Sequence, residues 1–575
     1  MRTTHVLYAA FRYWVVLSFL ICTCQAYGQS PAWRSAIAVS QASGTMSTSY
    51  ITALATDASG DVFVTGYFYG TVILDGIMLT SAGGEDVFVA KWSEANGRFI
   101  WAQRAGGRLN DHPKAIAVSG SSVYLAGHFD SPAAAFGNIV LSAVRTNAFV
   151  AKLTDTGTSS TFVWAWQTQG TDFEIISGLA VEGTNIYLTG TFQNTATVGT
   201  VTLTSAGGRD GFVAKLIDSG STGSFGWAQS FGGSGGDEGW TVAVSGARVY
   251  IGGYFRNGSQ FGSVYVPGAG NFDGFVAKLE DAGSTAGFVW VQRVGGSGDD
   301  DATSIAVSGA NVYVAGTFAQ YYNSTTASFG AVTLTAAGNG DAYVAKLTDA
   351  GPAASFGWAQ RAGSVGTDYG AAVAVKGADV VVTGVFEGNT ADFGALTLTR
   401  AGASRDIFVA RLTDLGSSGS FVWAQQASGT SIYDRSTAIL IGRHRVYVAG
   451  SIGPPARFGS LVIPASTGSF VAFLASLSDP VLSATAPSPL LAAKIHLFPN
   501  PAHATAHLYF SPCSSKTANL TLLDALGRLV HNQLVHLVPG GTTVELPVTG
   551  LPAGLYHARV QLPDGKQWSQ QLAIE

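Results

Sequence analysis

The chain has 575 residues, a formal net charge of −5, 12% charged against 47% hydrophobic residues, 73 glycines and 3 cysteines. A mildly acidic chain without a basic cluster excludes a nucleic-acid reader. So few cysteines exclude a disulfide-stapled scaffold, and positive mean hydropathy without a long apolar run points to many buried strands.

Residues 1–28 read as an address. Arg2 and Arg12 come with no acidic residue, Tyr13 to Ile21 is apolar, and Ala26-Tyr-Gly28 offers a small-x-small site before Gln29. This is the pattern of a secretory signal cut between Gly28 and Gln29. Its apolar core is too short to span a bilayer, and no later run replaces it, so the mature chain is expected to have no membrane span. A lipoprotein would need an anchoring cysteine, but Cys22 follows the bulky Ile21 and Cys24 lies against the apolar run, which favours ordinary cleavage. Cleavage takes the charge from −5 to −7 and leaves Cys513 as the one cysteine, so stability must come from burial.

Residues 29–479 repeat. A tryptophan column runs Trp33, Trp101, Trp164, Trp227, Trp290, Trp358 and Trp423, with spacings of 63 to 68 residues. A second column sets an aromatic or Val three residues before a glycine, from Phe63 and Gly66 to Tyr447 and Gly450. A third is Phe/Tyr-Val-Ala, at Phe88, Phe149, Phe212, Phe275, Tyr343, Phe408 and Phe470, and a weaker Phe-Gly column begins at Phe136. Periodicity of this kind identifies a repeat architecture before any secondary-structure argument.

Each period contains four short strands, for example Ser304 to Val307, Val312 to Gly316, Ala342 to Lys346 and Phe356 to Gln360, separated by turn residues. The first three are apolar on both faces, so each sheet must be covered on both sides. Small residues in the inner strands and large Phe and Trp further out match the taper of a β-propeller. Trp33 begins the chain without a Phe-Val-Ala strand before it, and Phe470 ends the array without a tryptophan strand after it. The expected fold is therefore all-β, a seven-bladed β-propeller closed by the N-terminal strand. An outer-membrane barrel would need alternating apolar and polar faces, which the inner strands lack.

Blocks such as Gly298-Asp-Asp-Asp-Ala-Thr-Ser-Ile-Ala-Val-Ser, Val312-Tyr-Val-Ala-Gly-Thr-Phe and Gly340-Asp-Ala-Tyr-Val-Ala-Lys-Leu resemble the bacterial β-propeller repeat called the SBBP repeat. The resemblance implies a propeller in an exported bacterial protein and no single activity. Residues 480–493 form an Ala-, Pro- and Ser-rich linker. From Lys494, Ile495-His-Leu-Phe-Pro-Asn-Pro501, Leu520 to Val530 and Leu551-Pro-Ala-Gly-Leu-Tyr-His-Ala-Arg-Val560 read as a small β-sandwich. These words resemble the type A sorting domain of the type IX secretion system of the Bacteroidetes. The resemblance implies that residues 494–575 meet that secretion machinery, and that the cargo ends secreted or on the surface of a Gram-negative cell. Gln570 to Glu575 departs from the family in lacking basic residues near its end.

The chemistry is sparser. An acid precedes most first strands, at Asp111, Glu174, Asp237, Asp300, Asp368 and Asp434, and a second column runs Asp86, Asp210, Asp273, Asp341 and Asp406. Asp237, Glu238, Asp299, Asp300 and Asp301 are candidate calcium ligands, although their spacing fits no known calcium loop and turn capping is the competing reading. His112, His128 and His444 stand at unrelated phases, and no zinc spacing or nucleophile elbow appears. His503 and His507 read as surface residues of the C-terminal module rather than metal ligands.

Because successive strands run antiparallel, the acidic turns and the variable inserts between second and third strands emerge on one face. There Tyr321 and Tyr322 are candidates to stack on a sugar or protein partner, or to pack on their own repeat. The expectation is a binding or adhesion module with no catalytic residues and no cofactor beyond candidate calcium. Its ligand is an unidentified surface glycan or protein, and the alternative is a polysaccharide hydrolase or lyase with an acidic axial pocket.

Overall fold

The computed structural model describes residues 31–41, 47–170, 172–321, 324–402, 405–466, 470–479, 482, 495–510, 517–524, 528–538, 542–561 and 567–575. Gly28, Gln29, Tyr322, the 480–493 linker and Cys513 lie outside them. The elements named among the described residues are all strands, and the chain divides into two compact units, Met1–Pro480 and Val481–Glu575.

In the first unit one pattern recurs. Asp111–Ser119, Ser122–Phe129, Asn147–Asp155 and Ser160–Gln167 pair in chain order as an antiparallel meander. The second and third strands are buried almost throughout because both faces are apolar. In five of the sheets, among the described residues, the outer edge is then extended by the next repeat. The hairpin Ala134–Phe136 and Ile139–Leu141 leaves its own sheet and pairs with Arg98–Gly106 of the preceding one. This gives the Phe-Gly column its cause. Phe136 is fully buried 4.8 Å from Phe149, and Gly137 takes the left-handed conformation that the tight turn needs.

The glycine of the second column has a different cause. The first strand carries a bulge opposite it, and a Cβ on Gly127 would lie 2.1 Å from the His112 carbonyl oxygen, with the same clash at Gly66, Gly190, Gly253, Gly316, Gly384 and Gly450. Bulges re-aim side chains, and here the re-aimed residue is the one just before the bulge.

Two column members are corrected by register. Gly127 pairs with Phe149, and Gly450 pairs in the same way with Phe473, so Phe473 and not Phe470 belongs to the third column. The two neighbouring words, Phe470-Val-Ala and Phe473-Leu-Ala, look alike by sequence. Likewise Ala32–Ala38 pairs antiparallel with Val471–Ser478, but Trp33 lies opposite Leu477, where the other repeats set Phe162 opposite Leu153. Trp33 fills a phenylalanine position, edge-on to Phe458 at 5.0 Å, and Ser35 stands where the tryptophan column would be.

That column serves a network between successive sheets. Trp164 Nε1 donates to Asp218 of the next repeat at 3.2 Å, joined by Lys152 Nζ at 2.6 Å and the Tyr124 hydroxyl at 2.7 Å. The set recurs on Asp281, Asp349 and Asp414, and without the tyrosine on Asp155 and Asp479. Between last and first repeats, Ser35 and Ser476 hydroxyls meet at 2.7 Å, and Arg445 lies 3.5 Å from Glu94. One apolar cluster there joins Leu440, Tyr447 and Leu474 to Ile51, Val64 and Trp92.

The second unit places the sheet Ile495–Phe498, Thr505–Phe510 and Thr542–Pro547 and the sheet Leu529–His536, Thr517–Leu523, Gly554–Gln561 and Gln567–Ile574 around one core of Leu508, Leu520, Leu546, Val560 and Leu572. Alternation in Thr517–Leu523 buries every second residue, as a half-covered sheet requires. The Tyr556 hydroxyl donates to the Pro552 carbonyl at 2.8 Å, which ties the Leu-Pro-Ala-Gly-Leu-Tyr turn.

Candidate functional site

The first strands of the seven repeats neighbour one another in chain order, and Arg435–Ile441 neighbours Thr48–Thr56 in turn. They line one cavity of about 280 Å³, to which each contributes equivalent residues. Thr52, Ser177, Thr303, Ala371 and Thr437 keep the lining small, and the hydroxyls of Thr52, Thr303 and Thr437 tie strands, as Thr437 Oγ1 to Ile51 O at 2.7 Å. At the two remaining positions stand Lys114 and Trp240.

Two residues earlier come Tyr50, His112, Ile175, Glu238, Asp301, Tyr369 and Arg435, which form a rim, all but Asp301 just ahead of a bulge. An aromatic arc crosses three repeats of it: Tyr433 and Phe470 at 6.4 Å, Phe470 and Tyr50 at 4.8 Å, Tyr50 and Tyr67 at 4.7 Å, Tyr67 and His112 at 4.1 Å. Arg435 lies 5.0 Å from the centroid of Tyr50 and donates to the Tyr67 hydroxyl at 3.2 Å. On another part of the rim Trp240 donates to Glu238 at 2.9 Å and packs edge-on to Tyr254, and Arg209 covers Phe173 at 4.0 Å. Cavities of about 310 and 410 Å³ adjoin Trp240 on its Arg209 and Tyr369 sides.

Electrostatics differ from residue to residue here. Lys114 reaches the water of the cavity, yet walls surround it. Desolvation and then Arg435 lower its pKa, while Glu238 pulls it upward. Burial, followed by Lys114 and His112, lowers His128 to about 3 and keeps it neutral. Asp301 is pushed up to about 7, first by burial and then by Asp300 and Asp299.

The acid columns lie on the same face and hold turns. Asp300 accepts the Gly296 and Ala319 amides, both at 2.8 Å, and so ties the incoming loop to the insert of its own repeat. Asp111 and Asp434 make the equivalent bonds. Asp86, Asp210, Asp273 and Asp341 each accept an amide from four residues earlier. Burial pushes Glu174, Asp237, Asp300, Asp368 and Asp434 up to about 7.

Of the candidate calcium ligands, Asp237 accepts the Gly233 amide, Glu238 bonds Trp240, Asp299 bonds Asn271, and Asp300 and Asp301 accept different amides. Among the described residues no group of three or more His, Cys, Asp or Glu is arranged to hold a metal. Tyr321 is exposed, with φ +57°, beside a separate cavity of about 390 Å³.

Sequence reading missed Lys114, Trp240 and the aromatic arc. The signal was there: both stand three residues after a first-column acid, where the other repeats keep a small residue.

Residues 496–575 match the family model of the secretion system C-terminal sorting domain. The second unit is a type IX sorting domain. It marks the chain for handling by that secretion machinery and for secretion or cell-surface display. No helix among the described residues is long and apolar enough to cross a membrane. No curated protein matches the chain. Solved structures with some likeness include the extracellular domain of a one-component system from B. thetaiotaomicron, at 8% identity and TM-score 0.16, covering 95% of this chain and 99% of that one. A glycoside hydrolase family 32 structure from Bifidobacterium adolescentis has 9% identity, TM-score 0.23 and coverages of 92% and 95%. Dimeric latent PorU from Porphyromonas gingivalis has 10% identity and TM-score 0.13, over 95% of this chain and 33% of that one. Likenesses this low decide nothing about the repeat unit.

Proposed function

We propose that the chain is an exported seven-bladed β-propeller of SBBP-type repeats, closed by its N-terminal strand, acting as a binding or adhesion module through the mouth of its axial channel. A signal at residues 1–28 starts export in a Bacteroidetes cell, and residues 494–575 carry the chain across the outer membrane. The cycle of neighbouring first strands and the pairing of Ala32–Ala38 with Val471–Ser478 support the ring. The observation that carries the site is the broken symmetry. Five of seven channel positions are small, two hold Lys114 and Trp240, and aromatic residues crowd the rim around them. Symmetric packing needs no such exceptions, and recognition does.

The test is a glycan and polysaccharide array with the whole exported chain, with calcium and with a chelator. Binding should disappear in Trp240→Ala and weaken in Tyr50→Ala. Binding kept in both and lost in Tyr321→Ala would move the site to the insert, and loss under chelation would give the acidic turns a calcium role. The alternative, a polysaccharide hydrolase or lyase, rests on Asp301, whose carboxyl is raised to about 7 beside the same cavity that holds Trp240. A proton donor at that pKa suits general acid catalysis. Release of reducing ends that Asp301→Asn abolishes would establish it.

A further inference from the structure

Two cations at the mouth lack carboxylate partners. Lys114 and Arg435 make no ion pair among the described residues, whereas Arg209 faces Glu238 at 3.7 Å and Arg405 faces Glu387 at 2.6 Å. Arg435 donates to the Tyr67 hydroxyl and lies over the Tyr50 ring. Tyr67, which Arg435 bonds, stacks at 4.1 Å on His112, two residues before Lys114 on the same strand, so the two cations flank one arc, and the charge of Arg435 helps to lower the Lys114 pKa. Unneutralised charge in partly desolvated surroundings is unfavourable in the free protein and is relieved by an anion.

The neighbouring surface narrows what kind of anion. Tyr50, Tyr433 and Phe470 surround a cavity of about 290 Å³ together with Arg405 and Arg435. The adjoining cavity sets Trp240 and Tyr369 near Asp301 and Gln320. Flat rings offer stacking to the C–H face of a pyranose, and nearby carboxyl and amide groups accept its hydroxyls. Cavities of this size suit a few sugar rings better than a helix or strand of a partner.

Resting on the binding-module reading, we infer that the mouth takes an acidic saccharide, with a sugar ring against Tyr50 and Phe470 and its anionic group between Lys114 and Arg435. Glu238 repels an anion from the other part of the rim, while Glu85 on the arc side is held by His112 at 2.8 Å. A uronate and a sulfated sugar supply the same charge.

The test is calorimetric titration of the whole exported chain with a panel of short oligomers: oligogalacturonate, oligoalginate, their methyl esters, and a sulfated oligosaccharide. At least one acidic oligomer should bind about tenfold or more tightly than its neutral counterpart, with affinity falling as salt rises. Lys114→Met and Arg435→Gln should each remove most of that preference, read as the ratio of acidic to neutral affinity within the same variant. Lys114 makes no side-chain hydrogen bond or ion pair among the described residues, so an unchanged Tm is expected for Lys114→Met and serves as the folding control. Preference for the ester-free uronates names carboxylate as the source, and preference for the sulfated oligomer names sulfate. Equal binding of neutral and acidic oligomers, or a preference that survives both variants, overturns the acidic-sugar inference and leaves the binding module standing. Failure of every oligomer, acidic and neutral, overturns the acidic-sugar inference, and the glycan array with Trp240→Ala decides the binding module on its own.

Discussion

At the scale of residues, carboxylates of two kinds set opposite pH dependences. Asp218, Asp281, Asp349 and Asp414 sit against a lysine and an indole, and although burial opposes them, those bonds hold their pKa below the ordinary value. Their stabilisation is present above the unfolded pKa and lost as pH falls through the folded one. Asp237, Asp300, Asp368 and Asp434 are raised to about 7 by burial, so their contribution is complete below the unfolded pKa of about 4 and is lost as pH rises through about 7. The Tm should therefore peak between about pH 4 and 6 and decline toward pH 8, and Asp300→Asn should flatten that decline. A Tm that climbs steadily from pH 5 to 8 would contradict it. Within the network, Asp281→Ala leaves Lys215 buried without its partner at 2.7 Å and should cost about 3 to 5 kcal/mol by urea denaturation. The acid in this network went unread in the sequence, because Asp218 pairs with a lysine 66 residues away and local spacing gives no hint of it.

At the scale of elements, a glycine and a bulge connect the repeat to the site. Every second-column glycine touches the carbonyl of a rim residue, so the column readable in the sequence is what seats side chains that the sequence left unnoticed. Gly253→Ala places a Cβ 1.9 Å from the Glu238 carbonyl oxygen. It should destabilise the chain by about 2 kcal/mol or more and unseat Glu238 and Trp240 together, with binding lost even where circular dichroism is unchanged. The insert hairpin is a second such device. Phe329 is buried among Tyr343, Phe318 and Phe356, and Phe329→Ala should cost about 3 to 5 kcal/mol. A loss under 1 kcal/mol would mean that the hairpin merely lies on the neighbouring sheet.

At the scale of the whole molecule, the seam is the distinct joint. Elsewhere a tryptophan and a lysine or arginine reach an aspartate of the next repeat, whereas here two serine hydroxyls meet opposite each other. Ser35→Cys with Ser476→Cys, in a Cys513→Ser background, should form a disulfide across a sequence separation of 441 residues and raise stability by about 4 kcal/mol or more on the chain-entropy account. The comparison is Tm oxidised against reduced. No difference would show that the proposed ring does not open at this joint when the protein unfolds.

The sequence by itself determined the all-β class, the repeat and its columns, the four-strand period and the sorting domain, because each is written in local periodicity or in contiguous words. Register, and with it the true places of Trp33 and Phe473, was decided only by pairing between strands far apart in the chain. The site was decided there as well. Lys114 and Trp240 are separated by two repeats, and the arc from Tyr433 to His112 joins the two ends of the array. Residues so distant converge only when the sheets come together, and no local pattern records which of them will share one mouth.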